Sequence, residues 1–152
     1  MYLVALAVLA ADLASKKILD KKLSLNKEVP IGKGTVCLKK VYNRGAAFGF
    51  LTGYPVLLSL LSSLAFGNVL VIFKRTMGNN SHIVHRLAAA FLLGGSMGNM
   101  LSRCHPGYVV DFLCIKFKKK APIFNIADIF IALGTVLLFF KKNKTQNAGP
   151  IF

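Results

Sequence analysis

Residues 54–73 read YPVLLSLLSSLAFGNVLVIF, a run of twenty residues without a charged side chain. About 20 apolar residues in an α-helix span the hydrocarbon core of a bilayer, so this run predicts a transmembrane helix. Residues 121–140, APIFNIADIFIALGTVLLFF, have the same length and contain Asp128 as their only ionisable group. The two stretches indicate a protein that crosses the membrane more than once.

Two further stretches extend this pattern to four helices. Residues 83–103 are long enough to span the membrane if the side chain of Arg86 extends so that its guanidinium lies at the membrane interface. Residues 1–18 are apolar apart from Asp12 and a basic end, a pattern that also occurs in signal peptides. We favour a retained span, because there is no basic start and no small-residue cleavage site before the basic run. The predicted spans are therefore 1–18, 54–74, 83–103 and 121–141.

The composition agrees with a membrane protein. Hydrophobic residues make up 55% of the 152 residues, and the mean hydropathy is +0.58, both of which are high for a soluble domain. Between the first two spans, residues 24–52 combine Gly, Pro and Asn with the strand-like run 35–42. We predict an all-α membrane protein in one domain, residues 1–152, built as a four-transmembrane-helix bundle. A small β-rich cradle at the membrane surface lies between helices 1 and 2.

The chain is strongly basic, with twenty Lys and Arg against five Asp and Glu and a net charge of +15. The basic residues flank the apolar spans and are not interleaved with aromatic residues as in nucleic-acid-binding modules. We therefore predict contact with membrane lipid headgroups and no nucleic-acid partner. The side of the membrane with the long first loop carries fourteen of the twenty basic residues, and the positive-inside rule would make that side cytoplasmic.

The three cysteines do not form a recognisable framework. Cys37, Cys104 and Cys114 are odd in number and lack the spacing of metal ligands, so we predict no disulfide framework, no zinc site and no other metal site. Cys104 precedes His105, but no relay residue is placed to complete a thiol nucleophile. Cysteine chemistry is therefore not the expected function.

Two of the few acidic residues lie in or beside apolar stretches, where a carboxylate is costly and marks a functional site. Asp111 follows the third span, Asp128 lies near the start of the fourth, and the chain between them is long enough to bring both carboxyls together. Two close carboxylates share one proton, so that one can activate water and the other can polarise an amide carbonyl. This is the chemistry of an aspartic peptidase. Asp12 and Lys16, one helical turn apart, favour a structural polar pair instead.

Five segments, in this order along the chain, resemble the successive motifs of the bacterial lipoprotein signal peptidases, also called signal peptidase II. They are Asp12–Lys16 (DLASK), Val41–Gly49 (VYNRGAAFG), Gly94–Arg103 (GGSMGNMLSR), Gly107–Phe112 (GYVVDF) and Phe124–Asp128 (FNIAD). Each motif alone is weak evidence for the family, but five motifs in the same order and spacing over nearly the whole chain are poorly explained by chance.

The resemblance implies an intramembrane aspartic endopeptidase with four transmembrane helices and an extracytoplasmic β-rich cradle. It implies a multi-pass protein of the bacterial cytoplasmic membrane that cleaves prolipoproteins carrying a diacylglyceryl-Cys, without metal or organic cofactor. We expect a monomer. Asp111 and Asp128 match the catalytic dyad of the family. The positions that line the site and support substrate or dyad are matched by Asn43, Gly98, Asn99, Arg103 and Asn125.

The implied orientation is opposite to that of the positive-inside rule, and we follow the resemblance. The chain departs from the family pattern at Ser102, where members generally have Asp, and at Ile129, where a small residue commonly follows the second catalytic Asp. These departures leave open a diverged paralogue that binds lipoprotein precursors with weak cleavage. A small proton-coupled transporter is the other alternative, although the chain has no internal repeat and the acids lie near the ends of spans.

Overall fold

The computed structural model describes residues 1–32, 35–45, 50–78, 81–116 and 122–139. Within these residues, four helices and four strands follow one another. They are α1 (Tyr2–Lys22), β1 (Glu28–Ile31), β2 (Val36–Asn43), α2 (Pro55–Gly78), α3 (Ile83–Cys104), β3 (Val109–Ile115), β4 (Ile123–Phe124) and α4 (Ile126–Phe139).

Helix α3 is the centre of the bundle and packs against α1, α2 and α4. Its contact faces are rich in Ala and Gly, which let helix backbones approach closely. A Cβ added at Gly94 would lie 2.8 Å from Val8 Cβ of α1, and one at Gly95 would lie 2.7 Å from the carbonyl oxygen of Ala127 in α4. Because no side chain separates these backbones, polar groups on three helices come within hydrogen-bond reach.

One helix among the described residues, α2, is long and apolar enough to cross a membrane, with a mean hydropathy of 2.3 over its most apolar window. Its outer face exposes Val56, Leu60 and Leu64, as expected of a surface in contact with lipid. Within the described residues α4 is a shorter apolar helix. The other three spans therefore remain predictions.

The four strands form one antiparallel sheet in the order β1-β2-β3-β4. The sequence-based prediction placed the cradle between helices 1 and 2, in residues 24–52, and strands β1 and β2 lie within these residues. Strands β3 and β4 come from the connection between α3 and α4. The local pattern of residues 109–115 indicates an extended segment, but it does not reveal that its pairing partner lies near residue 37.

The fourth helix begins later than the predicted span 121–141. Residues 123–124 form β4, and the helix begins at Ile126. The cause is Asn125, which caps the helix and ends the strand in one step. Residues 121, 140 and 141 of that span, and residues 33, 34 and 46–49 in the first loop, lie outside the described residues.

The prediction that no disulfide forms is wrong. Cys37 in β2 and Cys114 in β3 are directly opposite each other, with Cα atoms 4.9 Å apart, and they form a disulfide bond. Cys104 is free and exposed. The pair escaped the sequence analysis because its members are 77 residues apart, and cysteine spacing carries no information on which strands are neighbours.

Candidate active site

Asp111 is positioned by the pairing of β2 with β3. After α3 ends, the chain turns at Gly107, whose φ of 92° suits glycine, and enters β3. Asp111 pairs in register with Val41 of β2. Two residues further along β2, Asn43 Nδ2 donates a hydrogen bond of 2.9 Å to Asp111 Oδ2. The orientation of the Asn43 amide is set because its Oδ1 accepts from the Gly45 backbone N–H.

Asp128 is positioned by the start of α4, where Asn125 is the N-cap. Asn125 Oδ1 accepts the backbone N–H of Asp128 at 3.0 Å, and Asp128 Oδ2 accepts the backbone N–H of Asn125 at 3.1 Å. This reciprocal pair is a capping box, which satisfies two N–H groups at a helix start. The carboxyl of Asp128 is therefore held at the N-terminal end of the helix dipole, which favours negative charge.

The side chain of Asn125 connects the two acids. Its Nδ2 donates to Asp111 Oδ1 at 2.6 Å, while its Oδ1 and backbone N–H hold Asp128. Asn125 is fully buried, so these bonds are shielded from water. On the other side, Asn99 Nδ2 donates to Asp128 Oδ1 at 2.8 Å. One amide thus contacts both carboxyls, which places them in a single site.

A buried ion pair from α1 supports this site. Lys16 Nζ lies 2.7 Å from Asp12 Oδ2, and both side chains are almost entirely buried. Asp12 Oδ1 accepts the backbone N–H of Ala127 at 3.0 Å, in the first turn of α4. A Cβ at Gly98 would overlap the Asp12 carboxylate, with its Cγ only 3.1 Å away. The pair therefore fits against α3 because residue 98 has no side chain.

Both carboxyls line one open cavity of about 820 Å³. Arg103 also lines it, and within the described residues its buried Nε has no hydrogen-bond partner. The walls combine polar groups with apolar side chains of the sheet and of α4. The other lining residues are Val41, Tyr42, Asn43, Arg44, Thr52, Pro122, Ile123, Phe124, Ile131 and Ala132.

The electrostatics of the cavity favour a proton on Asp111. The pKa of Asp111 is raised to about 6, chiefly by burial and also by the negative charge of Asp128, while the hydrogen bonds from Asn43 and Asn125 and the charge of Lys16 act in the opposite direction. A carboxyl with this pKa is partly protonated near neutral pH, which is the property a general acid needs.

The structure brings together nearly all of the residues singled out from the sequence. Of the five residues expected to line the site and support substrate or dyad, Asn43 and Arg103 line the cavity. Asn99 and Asn125 donate hydrogen bonds to the acids, and Gly98 lies against Asp12. Tyr42, Arg44 and Phe124 also line the cavity and were not singled out from the sequence; their positions next to Asn43 and Asn125 in two of the motifs were the available signal. Among the described residues no cluster of His, Cys, Asp and Glu could hold a metal ion.

Comparison with known proteins identifies the family. Residues 4–143 match the family model described as signal peptidase (SPase) II. A protein named lipoprotein signal peptidase from Halothermothrix orenii is 33% identical over 149 residues, covering 98% of this chain and 99% of that protein. One of the same name from Fusobacterium nucleatum is 36% identical over 144 residues, covering 91% and 86%.

The fold is shared with a solved bacterial membrane enzyme. It superimposes with a TM-score of 0.84 at 24% sequence identity, covering 99% of this chain and 93% of that one. These findings confirm the resemblance in the motifs. This chain belongs to the signal peptidase II family and is a peptidase.

Proposed function

We propose that this chain removes the signal peptide from lipoprotein precursors that carry a diacylglyceryl-Cys, with Asp111 and Asp128 as the catalytic dyad. The observation that carries the proposal is Asn125, a fully buried amide that holds both carboxyls on the wall of one cavity. The names of the relatives support the substrate class.

The two acids divide the work of peptide hydrolysis. The ionised carboxylate takes a proton from a water molecule, and the protonated carboxyl donates a hydrogen bond to the scissile carbonyl as the water attacks. The resulting oxyanion is stabilised by donors already in place. Arg103 is suited to this or to a lipid carbonyl or phosphate, because a guanidinium carries several hydrogen-bond donors and Arg103 lines the same cavity.

The cavity suits a substrate that stays in the membrane. A signal peptide is an apolar helix, and the lipid on its neighbouring Cys extends into the bilayer. Ile131 and Ala132 of α4 form part of the cavity wall, and the same helix exposes Leu133 and Val136. A precursor that approaches beside α4 brings its scissile bond to the acids while its apolar segments remain in lipid.

We further propose that α1, α3 and α4 span the bilayer with α2, and that the sheet lies on the extracytoplasmic side of the cytoplasmic membrane. The charge distribution argues for the opposite orientation, but the disulfide between Cys37 and Cys114 argues for this one. Disulfides persist in oxidising compartments and are rare in the cytosol. The basic residues of the first loop then contact anionic headgroups, and the chain works as a monomer without a cofactor.

The test is cleavage of a diacylglyceryl-modified precursor by the purified protein in detergent. We expect a released signal peptide, and a rate reduced about a thousandfold or more in Asp111→Asn and Asp128→Asn. Glu28→Gln is the matched control, because its carboxyl forms exposed ion pairs with Lys39 and Lys116. Near-normal cleavage by either dyad variant would refute the mechanism. A precursor that binds without being cut would identify a silent binder instead.

A further inference from the structure

Lys16 does more than pair with Asp12. Its ammonium lies 2.7 Å from Asp12 Oδ2, 3.0 Å from Asn99 Oδ1 and 3.4 Å from Ser102 Oγ. Its side chain is only 5% exposed, so the ammonium bonds mainly to these protein atoms and little to water. A buried ammonium that reaches a residue in contact with the dyad can influence the dyad.

The contact with Lys16 determines which way the Asn99 amide points. An ammonium only donates hydrogen bonds, so the atom of Asn99 that faces it must be the carbonyl oxygen. The same oxygen accepts a second bond from Asn125 Nδ2 at 3.3 Å. The NH₂ group of Asn99 therefore faces the other way, where it donates to Asp128 Oδ1 at 2.8 Å. Without Lys16, the amide could turn over and present its oxygen to Asp128.

This arrangement gives each oxygen of the Asp128 carboxyl a hydrogen-bond donor. One oxygen accepts from Asn99 and the other from the backbone N–H of Asn125, and the carboxyl lies in the first turn of α4, where the helix dipole favours an anion. Asp111 also accepts two bonds, both from side-chain amides. Asp111 lies in a strand, however, and not in the first turn of a helix. Among the described residues, neither of the two amides that donate to it is hydrogen-bonded to a cation in turn.

The charges around the dyad are consistent with one shared proton. Helix α1 supplies Asp12 and Lys16, α3 supplies Arg103, and the dyad adds Asp111 from β3 and Asp128 from α4. Among these groups of the described residues two cations face three carboxyls, so a single proton on one carboxyl makes the cluster neutral. From β2 and the residue after it, Tyr42 and Arg44 also line the cavity. Arg44 is exposed, so its charge is screened by solvent.

We propose that Lys16 is a positioning residue that acts through Asn99 to keep Asp128 as the ionised base of the dyad and to leave the shared proton on Asp111. Ser102 supports this role. Its hydroxyl donates to the carbonyl oxygen of Gly98 and lies 3.4 Å from Lys16 Nζ. Because a serine carries no carboxylate, Asp12 is the one carboxylate within 4 Å of the ammonium among the described residues. The second strong contact of Lys16 is then Asn99.

The location of the proton is tested first, by infrared difference spectroscopy on the carboxylic-acid carbonyl stretch of the purified protein. At about pH 5, below the pKa of Asp111, we expect the wild type to show this band. Asp111→Asn should remove it and Asp128→Asn should retain it. The opposite pattern, with the band lost in Asp128→Asn and kept in Asp111→Asn, would overturn the assignment. This readout does not depend on cleavage, so it stands even if the proposed substrate is wrong.

The role of Lys16 is tested with the double variant Asp12→Asn/Lys16→Met. It leaves the net charge unchanged, and the amide oxygen at position 12 still accepts the Ala127 N–H, so no unpaired charge is buried. We expect the infrared band to persist in part when Asp111→Asn is added, because Asp128, no longer held as the anion through Asn99, then carries part of the proton. We also expect kcat for precursor cleavage to fall at least about tenfold, and the acid limb of the pH profile to move up by about one pH unit, with KM little changed.

Two comparisons separate positioning from mere structural support. Lys16→Arg keeps a buried cation that only donates, and it should restore the wild-type infrared pattern and most of kcat. Lys39→Met removes a lysine from an exposed ion pair on the sheet and should change neither readout. A double variant with the wild-type infrared assignment and pH profile would overturn the role of Lys16. If the wild type cleaves nothing, the proposed function fails, and the infrared result still decides this proposal.

Discussion

Asn125 and Asp128 exchange two hydrogen bonds at the start of α4, side-chain oxygen to backbone N–H in each direction. The same bonds that begin the helix also orient a carboxyl of the proposed dyad. A helix cap and a contact of the candidate active site are thus one structural unit, and the side-chain NH₂ group of Asn125 donates to Asp111 Oδ1 and to Asn99 Oδ1.

This double role predicts that capping and catalysis can be separated by substitution at residue 125. Asn125→Ser retains a good N-cap but is too short to reach Asp111. We expect stability close to that of the wild type and precursor cleavage reduced about a hundredfold. Asn125→Ala loses the cap as well, so its unfolding free energy should fall by a further ~1 kcal/mol. Thermal unfolding by circular dichroism together with the cleavage assay checks both; equal activity of Asn125→Ser and wild type would contradict the role of the amide.

Gly98 predicts a steric limit on the contact between α1 and α3. In Gly98→Ala the new methyl group would overlap the Asp12 carboxylate, so the two helices must separate or the ion pair with Lys16 must move. We expect a loss of about 1–3 kcal/mol in stability and a lower cleavage rate. Gly67→Ala is the control, because a Cβ there meets nothing within 4 Å. A Gly98→Ala protein as stable as Gly67→Ala would show that this packing is loose.

The raised pKa of Asp111 predicts a dependence of stability on pH. Because the folded protein binds this proton more tightly than the unfolded chain, the contribution is fully present below pH 3.8 and is lost as pH rises through about 6. The unfolding temperature in detergent should therefore fall between about pH 4 and pH 7. The corresponding slope should be absent in Asp111→Asn. A wild-type slope that persists unchanged in this variant would assign the titration to another group.

The same titration predicts an alkaline limit to activity. The general acid is lost when Asp111 gives up its proton, so kcat should decline as pH rises above the pKa of the dyad in the enzyme–substrate complex. Initial rates of precursor cleavage over the pH range, with stability measured in parallel, check this. A rate that keeps rising with pH while the protein stays folded would mean that no protonated carboxyl is needed.

The disulfide predicts a thiol count and a stability difference. Alkylation of the unfolded, unreduced protein should modify one of the three cysteines, Cys104, and reduction should release the other two. Cys37→Ser and Cys114→Ser should each lower the unfolding free energy by about 2–4 kcal/mol. Cys104→Ser should change it by less than about 0.5 kcal/mol. Three reactive thiols before reduction would exclude the bond.

The sequence by itself determined the class of the protein and the identity of its acids. Uncharged runs of spanning length and scarce carboxylates are local features, because their cost or gain depends on the solvent around one segment. Asp111 and Asp128 could therefore be named in advance, and the motifs around them named the family. The pair Asp12 and Lys16 was also visible, since i, i+4 spacing places two side chains on one helix face.

Only the tertiary structure decided how these groups meet. The sheet is assembled from two segments, Cys37 bonds to Cys114, and Lys16 reaches Asn99 across 83 residues of sequence. Such pairs depend on which helix backbones come close, and here that is decided by glycines of α3 that leave no side chain between them. Local pattern reports burial and periodicity, but the partner of a buried polar group is a property of packing, which is why the sequence does not reveal that Asn99 and Asn125 donate hydrogen bonds to Asp128 and Asp111.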